Sequence, residues 1–99
     1  MQGWYPATFE REMGCTAGEL LRWLPGASGG RPLEERADGA EITIGAGRMR
    51  LQWQALPPRQ IALMRMPRLA VWFNFERVDE LTRQQVMRYF DLYTQRGGG

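Results

Sequence analysis

The clearest strand signal in the chain lies in residues 68–76, which read Arg68-Leu69-Ala70-Val71-Trp72-Phe73-Asn74-Phe75-Glu76. Side chains of an extended chain point alternately to its two sides, so Leu69, Val71, Phe73 and Phe75 share one face. Ala70, Trp72, Asn74 and Glu76 share the other. This period of two predicts a strand whose first face is buried and whose second face is partly polar.

The segments just before this strand repeat its pattern. Residues 48–54 alternate Met49, Leu51 and Trp53 with arginine and glutamine, and Ile42 and Ile44 alternate before a Gly45-Ala46-Gly47 turn. This pattern predicts a hairpin with one solvent-exposed face. Leu56-Pro57-Pro58 is predicted to end it. Residues 59–66 then read as a further strand, apolar on both sides and separated from the last strand by Pro67.

Helix signals lie on both sides of these strands. Thr16-Ala17-Gly18-Glu19 is a capping box, which predicts a short helix that ends at Pro25-Gly26. Six glycines and prolines in residues 25–40 predict a long mobile loop. Asp79 is the predicted N-cap of a helix that runs to about Thr94 and covers the face of Trp53, Leu63 and Phe73.

With a first strand at residues 7–13, these segments predict one domain over residues 1–99 of the α+β class. We expect an antiparallel meander of four to five strands, a long C-terminal helix packed on one face and a short N-terminal helix. Residues 97–99, all glycine, are predicted to form a flexible tail. Arg96-Gly97-Gly98-Gly99 resembles the tail of ubiquitin-like sulfur carriers, although a helix precedes it here and a strand precedes it in those proteins.

Composition argues against most kinds of catalysis. The 99 residues contain no histidine, no lysine and one cysteine, Cys15, so self-contained zinc, haem and Ser-His-Asp sites are excluded. Cys15 precedes a helix, where a thiolate is favoured, but without a histidine base we expect a buried packing residue. We therefore predict no enzymatic activity, no cofactor and no metal.

Location follows from the same composition. The sequence has no run of about 20 apolar residues and no signal-like start, so we expect a cytoplasmic protein without a membrane partner.

Charge is distributed unevenly along the chain. Residues 1–47 hold four arginines against seven carboxylates, whereas residues 48–76 hold five arginines against Glu76 alone. The predicted sheet therefore carries a basic surface that can bind anions or a partner. The candidate binding residues are Arg48, Arg50, Gln52, Arg59, Arg65, Arg68, Trp72 and Asn74.

Three functions are compatible with this surface. The first is a non-enzymatic binding or accessory module that engages a protein partner, or a second copy as a homo-oligomer, through the Arg-rich sheet face. An alternative is single-stranded nucleic acid or another anion on the same face, with Trp72 as a stacking ring. Another alternative is an apolar small ligand between helix and sheet, lined by Met49, Met64, Met66, Met87, Trp53, Trp72 and Phe90. The sequence leaves open the partner, the strand order and whether all the arginines share one face.

Overall fold

The computed structural model describes residues 4–95, so the glycine tail lies outside the described residues. Five strands and two helices follow one another along the chain. They are β1 (Thr8–Met13), α1 (Ala17–Ala27), β2 (Leu33–Glu35), β3 (Gly39–Ile44), β4 (Gly47–Ile61), β5 (Met64–Glu76) and α2 (Glu80–Gln95).

The strands form one antiparallel sheet in the order β1-β5-β4-β3-β2. Strands β2 to β5 are a meander of sequential neighbours, and β1 adds to the free edge of β5. Leu51, Val71 and Phe73 face the helices and are at most 1% exposed. The α+β class and the antiparallel sheet with two helices are therefore confirmed.

One predicted strand is wrong and another was missed. Residues 59–66 do not form a strand of their own, because β4 ends at Ile61 and β5 begins at Met64. Ala62 and Leu63 form the turn between them. Apolar residues on both sides of this segment do not mark a covered strand, since Ile61, Leu63 and Met64 are each more than half exposed at the end of the hairpin. The fifth strand is instead β2, which pairs with β3 in the predicted loop.

The prediction that α1 ends at Pro25-Gly26 is also wrong. The helix passes through both residues and ends at Ala27, and Ser28 N donates to Leu24 O at 2.9 Å. Proline removes one backbone donor, but buried Leu24 and Ala27 hold the last turn in the core. With the end of α1 and all of β2 inside residues 25–40, that segment is not one continuous loop.

Both predicted caps are confirmed. Glu19 N donates to Thr16 Oγ1 at 3.1 Å, and Thr16 N donates to Glu19 Oε1 at 2.8 Å. At the start of α2, Thr82 N donates to Asp79 Oδ1 at 2.8 Å. This hydrogen bond lowers the pKa of the Asp79 carboxyl.

The long helix α2 covers the sheet through Phe90, whose ring meets that of Phe73 edge to face with centroids 5.6 Å apart. Trp53 and Phe73 lie in this core as expected, with Trp53 5% and Phe73 0% exposed. Leu63 was predicted to join them, which is wrong, since it is 99% exposed in the β4–β5 turn.

Candidate interaction surfaces

The face of the sheet opposite the helices, called here the open face, carries five of the candidate residues. The register of β4 against β5 sets them in facing pairs: Arg48 with Glu76, Arg50 with Asn74, and Gln52 with Trp72. Residues directly opposite each other in an antiparallel pair lie on the same face. The structure therefore brings these candidates together as neighbours.

The arginines of this group are not free cations. Arg48 Nε lies 3.0 Å from Glu76 Oε1, and Arg48 Nη1 lies 3.3 Å from Glu41 Oε2. Arg50 approaches the same two carboxylates, each at 3.5 Å. Such exposed pairs contribute little to stability, but two carboxylates between two guanidiniums cancel the local charge. This part of the open face is close to neutral.

A second charge cluster forms where β1 meets β5. Arg68 donates from Nε and Nη2 to the two oxygens of Glu12, both at 2.9 Å, and Arg59 Nη2 lies 4.0 Å from the same carboxylate. The hydrogen bonds from Arg68 are the main reason that the pKa of Glu12 is lowered, and the nearby positive charges of Arg68 and Arg59 add to the effect.

Beside the first cluster the open face contains a hollow of about 300 Å³. Its floor brings together Arg36, Ala40, Arg50, Leu51, Gln52, Trp72 and Asn74. Trp72 is 38% exposed, and its Nε1 donates to Glu10 Oε1 at 3.2 Å. An exposed indole beside amide and guanidinium groups can stack a planar ring and donate hydrogen bonds.

The remaining candidate, Arg65, lies elsewhere. Arg59 pairs with Met66 and Gln60 with Arg65, and successive residues of a strand point to opposite sides. Arg65 therefore points away from Arg59, toward the side of the helices. The arginines of residues 48–68 do not form one surface.

The outer part of the β4–β5 hairpin, residues 56–68, is called here the arm. A register shift between Leu56 and Arg59 lies at its base. Its tip exposes large apolar side chains, which are Ile61 at 51%, Leu63 at 99%, Met64 at 63% and Met66 at 44%. Ala62 takes a φ of 53°, a left-handed conformation that favours glycine.

Among the strands of residues 4–95, none pairs with either edge of the arm. Pairing of β3 with β4 reaches Gln52, and pairing of β1 with β5 reaches Leu69. Pro57, Pro58 and Pro67 lie on these free edges, and proline has no N–H to donate to an added strand. The arm therefore offers side chains to a partner and resists extension of the sheet.

A mainly apolar cleft of about 340 Å³, called here the cleft, opens where the arm joins the sheet. Its walls are Cys15, Thr16, Ala17, Ala55, Leu56, Pro58, Arg65, Pro67, Arg68 and Leu69. Cys15 is 2% exposed, and burial, with a contribution from the charge of Glu19, raises the pKa of its thiol to about 11. Cys15 is a packing residue here, because its thiol stays protonated and inaccessible near neutral pH.

The side chains predicted to line an apolar pocket are divided among three places. Met49, Trp53, Met87 and Phe90 are buried in the core. Met64 and Met66 lie on the arm, and Trp72 lies on the open face. They do not line a common pocket.

Sequence reasoning missed the arm, although a signal for it was present. Pro57-Pro58 and Pro67 lie at similar distances on either side of Ala62-Leu63. Prolines at matching positions are typical of the edges of a hairpin, whereas two separate strands need no such symmetry.

The chain shows no match to a protein-family model, to a characterised protein or to a solved structure. Within residues 4–95, no group of three or more His, Cys, Asp or Glu side chains is placed to hold a metal ion. Over the same residues, neither helix has the length and apolar character needed to cross a membrane. Function is therefore inferred from the surfaces themselves.

Proposed function

We propose that this protein is a non-enzymatic binding module that engages a protein chain through its arm. The observation that carries the proposal is the exposed apolar tip, where Leu63 is 99% exposed and Ile61 and Met64 are more than half exposed. Contiguous apolar surface on a soluble domain commonly marks an interaction site. Burial against a partner is favourable by about 25 cal/mol for each Å² of apolar surface.

The rest of the hairpin supports this function by holding the tip in place. Strands β4 and β5 continue from the arm into the sheet, where Leu51 and Phe73 are buried under the helices. A contact on a rigid element loses less conformational entropy on binding than one on a disordered loop. The open face is the weaker candidate for the protein contact, because Glu41 and Glu76 already neutralise Arg48 and Arg50.

A photoreactive side chain at the tip tests the proposal. We replace Leu63 by p-benzoylphenylalanine and irradiate the protein in an extract of its own cells. The matched control carries the same group at Leu92, which is also exposed but lies on α2. We expect one discrete protein adduct from position 63 and none from position 92. Equal labelling from both positions, or none from position 63, would contradict the proposal.

Single-stranded nucleic acid on the open face is a second candidate, favoured by the hollow that contains Trp72, Arg50 and Asn74. We expect its affinity to fall with ionic strength, with a log-log slope of about −0.7 for each phosphate contact. Trp72→Ala should abolish this binding, whereas Trp4→Ala, at another exposed tryptophan, should not. Fluorescence anisotropy of a labelled oligonucleotide at several salt concentrations measures both effects. Equal loss in the two variants would rule out this candidate.

A further inference from the structure

We propose that the partner of the arm is an acidic amphipathic helix of another protein, and that this helix lies on the side of the arm that continues the open face. The inference rests on the proposed function and names the chemistry of the partner. Its basis is the placement of three exposed apolar side chains beside two arginines on that side. These residues are Ile61, Met64, Met66, Arg59 and Arg68.

The strand register places these side chains on one side of the arm. Along β5 the even-numbered residues point to the open face. Ile61 lies opposite Met64 on the neighbouring strand. Arg59 lies opposite Met66, and residues opposite each other in an antiparallel pair share a face. The residues between them, such as Gln60, point to the other side. The arm therefore presents a one-sided apolar surface with arginine next to it.

The charge on this side of the arm is not balanced. Residues 56–68 contain three arginines and no carboxylate. Within residues 4–95, Glu12 is the one carboxylate that lies within 4.0 Å of any of them, and Arg68 already holds both of its oxygens at 2.9 Å. Arg59 is 4.0 Å from Glu12, and its side chain is 61% exposed. The Arg59 guanidinium therefore keeps N–H donors for a carboxylate of a partner.

The inner part of the open face makes the imbalance clear. There, Glu41 and Glu76 lie between Arg48 and Arg50, so two negative charges meet two positive ones. On the arm, two arginines share Glu12, which leaves a positive charge beside three apolar side chains. Protein interfaces place opposite charges across from each other. A partner that covers this side must therefore bring carboxylates next to its own apolar residues.

The spacing of the apolar side chains matches the apolar stripe of a helix. Met64 and Met66 are two residues apart on one strand, or about 6.6 Å. Residues four apart on a helix are separated by about 6 Å along its axis. One helix can therefore contact both methionines, with Ile61 beside them on β4 and a carboxylate at the flank of the stripe near Arg59. Methionine side chains adapt to the shape of such a partner.

Other occupants fit this surface less well. A lipid surface would surround both sides of an inserted hairpin, and one side here carries Gln60 and Arg65. Single strands of nucleic acid stack on aromatic rings, and residues 56–68 contain none. A strand added to an edge of the arm would lack backbone donors at the prolines. Contact through the side chains of a helix avoids these three costs.

Selection of peptides tests the chemistry of the partner. The purified full chain is used to select from a phage-displayed library of random peptides that are long enough for about four helical turns. We expect enriched sequences in which Asp or Glu flanks apolar residues three and four positions apart. No enrichment, or a consensus without carboxylates, would overturn the proposal.

Charge reversal then tests the site. Fluorescence anisotropy measures the affinity of one enriched, labelled peptide. Arg59→Glu should weaken binding at least about tenfold, and added salt should weaken binding to the parent protein, because both remove attraction to the carboxylates. The matched control is Arg22→Glu, the same change at an exposed arginine of α1, which should have no effect. A similar loss at position 22 would mean that only net charge attracts the peptide, and would contradict the proposal.

The apolar part of the contact has its own matched pair. Met64→Asp should weaken the same peptide at least about tenfold, because the change places a charge in the centre of the contact. Leu92→Asp, on α2, should leave the affinity unchanged. Both parent side chains are more than half exposed, so neither change should unfold the protein. Full affinity in Met64→Asp would place the peptide elsewhere and overturn the proposal.

The same variants are tested with vesicles of phosphatidylserine and phosphatidylcholine and with a labelled single-stranded oligonucleotide. Neither should bind through the arm. If either one binds, and loses binding in both Arg59→Glu and Met64→Asp, while no peptide is enriched, the occupant is a lipid surface or a nucleic acid. That result would overturn the helix partner.

The photoreactive variant at position 63 separates failure of this inference from failure of the proposed function. Mass spectrometry of the adduct from the cell extract identifies the cross-linked segment of the partner. A segment that has carboxylates beside helically spaced apolar residues supports both proposals. A discrete adduct with any other segment overturns the acidic helix and leaves the binding function standing. If the extract gives no adduct, both proposals fall.

Discussion

The two ends of the β4–β5 hairpin are built from the same two strands, yet their apolar side chains have opposite surroundings. At the inner end, Leu51 and Phe73 are at most 1% exposed beneath the helices, and β3 and β1 pair with the outer edges of the strands. At the tip, Leu63 is 99% exposed, and the described strands β1 and β3 stop pairing at Leu69 and Gln52, before the arm begins. Side chains of the same kind therefore form a core where other elements cover them and a contact surface where none does.

The comparison is tested most directly by truncating one side chain at each end. Phe73→Ala should lower the free energy of unfolding by about 3–5 kcal/mol, because it leaves a cavity against Phe90. Leu63→Ala should change it by less than about 0.5 kcal/mol, because that side chain is exposed in the folded protein. Urea unfolding followed by circular dichroism measures both values. A loss at Leu63 as large as that at Phe73 would mean that the tip is packed within one molecule.

The helices α1 and α2 cover the inner end of the hairpin, and they pack closely against each other. A Cβ added at Gly26 of α1 would collide with the ring of Tyr93 of α2. Gly26→Ala should therefore lower the free energy of unfolding by about 1–3 kcal/mol. Gly18→Ala is the matched control in the same helix, because its Cβ would meet nothing nearer than Thr16 Oγ1 at 3.9 Å. A neutral result at Gly26, measured by thermal unfolding, would show that the helices can move apart freely.

The smallest expected effect lies at the boundary between the arm and the inner end, where Glu12 binds Arg68. Because the folded state holds the pKa of Glu12 below its ordinary value, the contribution of this pair is complete above that value and is lost as the pH falls through the lowered pKa. Carboxyl NMR shifts of Glu12 should titrate at a lower pH in the parent protein than in Arg68→Gln. Identical titration curves in the two proteins would show that the Glu12–Arg68 pair does not hold the arm in place.

Sequence reasoning succeeded where the relevant interactions are local. The alternation at Leu69–Phe75 predicted the covered face of β5, and the capping box at Thr16 and the cap at Asp79 marked the starts of both helices. It failed at Pro25 and at residues 59–66. At Pro25, no feature of the neighbouring sequence shows that packing of Leu24 and Ala27 keeps a proline inside α1. The apolar residues on both sides of residues 59–66 also fit two different structures. A central strand that is covered on both sides has this pattern, and so does the exposed end of a hairpin.

The periodicity of the strands, the helix caps and the concentration of arginine in residues 48–68 can be read from the amino-acid sequence, since these depend on neighbours along the chain. Whether those charges are neutralised and those apolar side chains are exposed depends on the folded arrangement of the strands. Glu12, 56 positions from Arg68, meets it across β1 and β5, and Glu41 and Glu76 meet Arg48 and Arg50 across β3, β4 and β5. Neutralisation of charge and exposure of apolar side chains depend on which distant segments come together, and in this protein they leave the arm, not the arginine surface, as the leading candidate contact.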